Sequence, residues 1–163
     1  TVNAATNSFG PTSAGGNGPL VTFSNLAAPT TITDDATINF TVRGDLNSYA
    51  EYIDISLDSF SLGRVFDDNT DNDPFDFDRD LGSHVAKTGS ATIANSVMSR
   101  ILADGFLNLS FDFSRNVNAN GSVNHLEGTI TYNSVTPVPL PASGLLLIAG
   151  VGGIAALRRK KKA

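Results

Sequence analysis

The chain has 163 residues, a formal charge of −5 and no cysteine, which excludes a disulfide framework and any thiolate metal site. The charge is unevenly placed. Before residue 137, six cations (Arg43, Arg64, Arg79, Lys87, Arg100 and Arg115) face all sixteen Asp and Glu, a net of −10, whereas the end of the chain holds the other five cations. So acidic a body argues against nucleic acid or anionic lipid as its partner, and its length suits one domain with a real core.

In chain order, residues 1–19 are rich in Asn, Ser, Thr, Gly and Pro, with Pro11, Gly15, Gly16, Gly18 and Pro19 as breakers. They read as a flexible N-terminal arm with at most a short edge strand near Val2. Such an arm has the means to donate a strand to the sheet edge of a neighbouring copy. The start at Thr1 without Met leads us to expect a removed signal peptide.

A folded domain is expected over residues 20–136. Residues 20–23 form a short strand, and residues 36–43 alternate Ile38, Phe40 and Val42 with Thr37, Asn39 and Thr41. Period two with one apolar face is the signature of a half-buried strand. Ile53, Ile55 and Leu57 alternate in the same way over 51–58, then residues 58–61 read as a turn and 62–66 as the returning strand. Residues 87–93 are another strand. Val97, Met98, Ile101 and Leu102 are spaced for a short amphipathic helix over 95–103, stopped by Asp104-Gly105. Leu107, Leu109, Phe111 and Phe113 then share one face of the strand 106–113, and Leu126, Ile130 and Tyr132 share one face of the last strand, 126–132. Six to eight short alternating strands with polar turns predict an all-β fold, an antiparallel β-sandwich.

The connection over 67–82 is acidic. Asp67, Asn69, Asp71 and Asp73 alternate, as do Asp76, Asp78 and Asp80. These oxygen ligands are hard donors suited to Ca²⁺, which takes six to eight oxygens. The first series begins like an EF-hand loop, but Asn72 stands where that loop needs Gly, and no Glu occupies its twelfth place. The functional expectation is an irregular structural Ca²⁺ site. The plainer one is a solvated acidic loop with Phe75 and Phe77 tucked onto the sandwich.

Enzymatic readings find little. Only His84 and His125 are present, without a nucleophile elbow or a paired-histidine metal motif around them, and only two Glu, Glu51 and Glu127, occur. No Gly-rich phosphate loop and no basic patch interleaved with aromatics is found. We therefore expect no catalysis. Carbohydrate binding is conceivable for such a sandwich, but with no Trp and only Tyr49, Tyr52 and Tyr132 it is unmarked.

The tail is the most legible stretch. Val138, Pro139, Leu140, Pro141 and Ala142 are followed by an uncharged run to Leu157 and then by Arg158, Arg159, Lys160, Lys161 and Lys162. As a helix, residues 140–157 would span about 27 Å, enough for a bilayer core, and the basic block would hold the C-terminus in the cytoplasm. This arrangement resembles the PEP-CTERM sorting signal of Gram-negative bacteria in its Val-Pro-Leu-Pro-Ala variant; Leu140 departs from the commonest form, which has Glu there. The resemblance covers residues 137–163. It implies a substrate of an exosortase, anchored in the inner membrane by one transmembrane helix, cleaved near the motif and passed to the cell surface or the exopolysaccharide matrix. The preceding domain also resembles the jelly-roll-like domains found before such tails. The expected partners are thus the exosortase, the inner membrane, and either exopolysaccharide or copies of the chain itself. The alternatives are a permanently anchored accessory subunit of a membrane complex, or a secreted carbohydrate-binding module.

Overall fold

The computed structural model describes residues 2–77, 84–118 and 123–135. Eight strands form: β1 (Val2–Ala14), β2 (Leu20–Ala27), β3 (Ala36–Gly44), β4 (Ile53–Leu57), β5 (Phe60–Val65), β6 (Ala86–Ile93), β7 (Phe106–Phe113) and β8 (Val123–Val135). They pair into two antiparallel four-stranded sheets, β1-β8-β3-β6 and β2-β7-β4-β5. The fold is therefore all-β. The expected membrane span at 140–157, the Val138–Ala142 motif and the Arg158–Lys162 block lie outside the described residues. Among the described residues, no helix is long and apolar enough to cross a membrane.

Alternation builds the core. The inward positions of β3 (Ile38, Phe40, Val42), β4 (Ile53, Ile55, Leu57) and β7 (Leu107, Leu109, Phe111, Phe113) are all buried, while the residues between them face outward. Each such side chain contributes about 1.5–3 kcal/mol by leaving water. The sheets meet through aromatic rings: Phe9 of β1 lies 5.0 Å from Phe23 of β2 and 5.9 Å from Phe111 of β7, and Phe40 of β3 lies 5.0 Å from Phe111. The predicted helix forms as α1 (Asn95–Ile101), continued by a 3-10 turn, Leu102–Asp104. Its Met98 and the following Leu102 enter the core, the Asp35 carboxylate accepts the Asn95 N–H at 2.8 Å, and Gly105 ends it in the left-handed conformation (φ 79°).

Two expectations need correction. The flexible arm over residues 1–19 is largely a strand: β1 pairs with β8 of its own chain from Val2↔Val135 to Ala14↔Val123, and Phe9 is buried. Its breakers do not prevent this. The register shifts between Phe9 and Thr12, so Gly10 and Pro11 fall in a bulge of an edge strand, where a missing N–H is tolerated. The turn expected over 58–61 is tighter, since Phe60 and Ser61 already pair with Leu57 and Ser56. Asp58 reverses the chain with φ 49°.

Tyr132 of β8 is wholly buried, and its hydroxyl has no hydrogen-bond partner among the described residues. Burial pushes its phenol up to about 12, and the Asn7 side chain, which lies near the hydroxyl without completing a hydrogen bond, works against the rise. An unfolded tyrosine ionises near pH 10, so stability present below pH 10 is lost as the pH rises from 10 to 12, by about 2–3 kcal/mol. Tyr132→Phe is expected to abolish that component and to melt at or above the natural temperature at pH 7. Urea unfolding of both chains across pH 8–11 checks this; equal alkaline losses would contradict it.

Candidate functional site

The acidic connection between β5 and β6 is described through residue 77. Apolar contacts seat it. Phe75 is buried, and the Phe75 and Phe77 rings lie 5.1 Å and 4.9 Å from Phe40, with Phe77 also 4.7 Å from Phe66. Two glycines make room. Gly63 (φ 117°) lets the Asn72 carbonyl approach within 2.4 Å of where a Cβ would stand, and the Arg64 N–H donates to that carbonyl at 3.1 Å. At Gly89, a Cβ would lie 2.7 Å from the Phe77 ring.

The carboxylates are used locally. Asp67 accepts the Asn69 N–H at 3.1 Å, Asn69 accepts the Asp71 N–H at 3.1 Å, and Asp73 accepts the Phe75 N–H at 2.7 Å. The period-two spacing that begins like an EF-hand is here a succession of Asx turns, in which each side chain caps the backbone two residues on. Asp76 instead ties the loop to β6, accepting from both the N–H and the hydroxyl of Ser90. Those bonds hold its carboxyl below the usual range.

Asp73 goes the other way. Burial raises its carboxyl, the Phe75 N–H opposes the rise, and the charges of Asp67 and Asp76 add to it. A folded value above the ordinary 3.8 means a penalty that is present at neutral pH and vanishes as the pH falls through that value. Asp73→Asn keeps the acceptor for the Phe75 N–H, and is expected to raise Tm at pH 7 but not at pH 3. Thermal melts at the two pH values check this.

Among the described residues, no group of three His, Cys, Asp or Glu is placed to hold a metal ion. Asn69 and Asp71 are exposed, and Asp78 and Asp80 lie outside the described residues. Calorimetric titration tests the Ca²⁺ expectation directly: heat and a higher Tm at millimolar Ca²⁺ would support it, and neither would end it. The histidines are not brought into a shared site. His84 Nδ1 lies 2.9 Å from Asn124 Oδ1, and His125 Nε2 lies 3.1 Å from Glu127 Oε1.

A second constellation occupies the outer face of the β2-β7-β4-β5 sheet. Asp54 of β4 stands in register with Arg64 of β5 on one side and Asp112 of β7 on the other. The Arg64 guanidinium donates twice to Asp54, Nε at 2.8 Å and Nη2 at 2.9 Å, and lies 3.7 Å over the Tyr52 ring. Asp54 raises the Arg64 pKa. The Asp112 carboxylate has no hydrogen-bond or ion-pair partner among the described residues. An open cleft of about 590 Å³ lies here, lined by Asn17, Tyr52, Asp54, Asp112, Arg115 and Asn116 among others. At its end the Ala50 carbonyl accepts from the Ser114 hydroxyl at 2.7 Å and from the Asn116 amide at 3.0 Å, which pins the loop that carries the 71%-exposed Tyr49.

Sequence reasoning missed this cleft. Its signal lies in Ile53-Asp54-Ile55 and Phe111-Asp112-Phe113, where the alternation puts both aspartates outward. Only the pairing of β4 with β7 makes them neighbours. The chain gives no significant match to a protein-family model, to a curated protein or to a solved structure.

Proposed function

We propose that the chain is a non-enzymatic exported surface or extracellular-matrix protein, a jelly-roll-like sandwich delivered by a C-terminal sorting signal. The observation that carries this is the order of parts in the tail: Val138-Pro139-Leu140-Pro141-Ala142, an uncharged run to Leu157, and five cations from Arg158 to Lys162. An apolar segment of this length, closed by cations, suits one inner-membrane crossing with the C-terminus inside. The strand orders 1-8-3-6 and 2-7-4-5 support the jelly-roll reading, because eight antiparallel strands wind between two sheets in that way.

On this reading residues 137–163 are an address and a transient anchor for an exosortase. The sandwich acts outside, structurally or adhesively, on exopolysaccharide or on copies of itself. Mass spectrometry of the protein from the surface of an exosortase-bearing host tests it. The expected mature chain ends near Ala142, and the Pro139→Ala/Pro141→Ala variant stays in the inner membrane with its tail. An intact tail on surface material would overturn processing and favour a permanent anchor.

A further inference from the structure

We infer that the cleft on the outer face of the β2-β7-β4-β5 sheet binds a neutral saccharide. The inference stands on the folded domain and does not depend on the sorting signal, since a chain that kept its anchor would keep the cleft.

Shape comes first. About 590 Å³ is within the usual range for small-ligand sites, and this cleft lies on a sheet face, where the backbone holds the side chains in register. Charge comes next. The lining carries Asp54 and Asp112 against Arg115, and Asp54 is already neutralised by Arg64 from outside the lining. With two anions against two cations, neither a phosphate nor a free cation is selected. A divalent ion would want a third carboxylate or His placed with the pair, and the described residues offer none.

What the lining does offer is acceptors and donors side by side. Two carboxylates accept, and the amides of Asn17 and Asn116 can both donate and accept. A run of hydroxyls is the uncharged ligand that satisfies both kinds at once. Like charges directly opposite on paired strands weaken a sheet, and the Asp112 carboxylate stands opposite Asp54 with no side-chain partner among the described residues. Vicinal hydroxyls donating to Asp112 would offset that cost. Aromatic surface completes the set. Tyr52, in the lining, is held by the Arg64 guanidinium. A rigid tyrosine gives amphipathic contact at low entropic cost, which suits the C–H face of a pyranose.

The test uses the full 163-residue chain in a detergent without a sugar headgroup. It is applied to an array of neutral hexose, pentose and N-acetylhexosamine oligosaccharides beside uronate-bearing ones, and the best neutral oligosaccharide is then titrated by calorimetry. Binding to neutral oligosaccharides is expected, weakened about tenfold by Asp112→Asn and by Asn17→Ala. Neither variant removes a contact that holds the fold, so unchanged melting is expected alongside the lost affinity. No binding to neutral oligosaccharides, binding to uronates alone, or affinity unchanged in both variants would each overturn the proposal. The Pro139→Ala/Pro141→Ala chain should bind as the natural one does, which separates this result from the fate of the sorting reading.

Discussion

Truncating Phe40 to alanine is expected to remove about 3–5 kcal/mol of folding free energy, a large share of the roughly 5–15 kcal/mol that a domain of this size holds. Phe40 is 0% exposed at the middle of β3 and touches three other rings: Phe111 at 5.0 Å across the sandwich, and Phe75 and Phe77 at 5.1 Å and 4.9 Å under the acidic loop. Losing the ring thus opens a cavity between the sheets and also unseats the two phenylalanines that hold the loop down. Urea denaturation gives the first effect. Hydrogen exchange gives the second, because the amides of Arg64 and Asp76, which donate to Asn72 and Ser90, should open faster than global unfolding requires. Phe60→Ala is the control, since that ring is 41% exposed at a hairpin and should lose no more than about 0.5 kcal/mol. A Phe40→Ala chain losing less than about 1 kcal/mol would mean that the ring cluster is not the centre of the core.

Where a strand buries every second residue, the sequence announces it. β7 spans Phe106–Phe113, as the alternation of Leu107, Leu109, Phe111 and Phe113 predicts, and β3 extends the predicted strand only by Gly44. β1 announces nothing, because an edge strand rich in Ala, Thr and Asn needs few large apolar residues. Phe9 is the one large side chain it is seen to bury, and its Gly10-Pro11 pair reads as a breaker unless the bulge is known. The acidic loop was legible as a composition and not as a geometry. Whether Asp67 and Asn69 serve a metal or the amides of Asn69 and Asp71 depends on backbone turns that spacing alone does not fix. The cleft was hidden for a different reason. Asp54 and Asp112 are remote in sequence, and only the long-range pairing of β4 with β7 places one beside the other.

Deleting residues 1–14 is expected to unfold the domain, the opposite of what a dispensable arm would allow. β1 pairs along nearly the whole of β8, and Phe9 packs against Phe23 and Phe111 in the aromatic cluster. Each ladder hydrogen bond contributes about 0.5–1.5 kcal/mol, which the ordering entropy of about 1–2 kcal/mol per residue largely offsets. The buried Phe9 then dominates the net, at about 3–5 kcal/mol. Its removal also uncovers the inner faces of Phe23 and Phe111 and frees the edge of β8, a template for pairing between chains. Together these approach the whole stability of the domain. Circular dichroism and thermal melts of the truncated chain are expected to show no cooperative transition, with association through the bared β8 edge. A peptide of residues 2–14 added in excess should restore the transition, because β8 still offers the register that β1 fills. A truncated chain that melted at the natural temperature would return these residues to the status of an arm. Recovery with the peptide would instead make β1 a strand that can be supplied from outside, and would give a concrete route by which one copy could complete another.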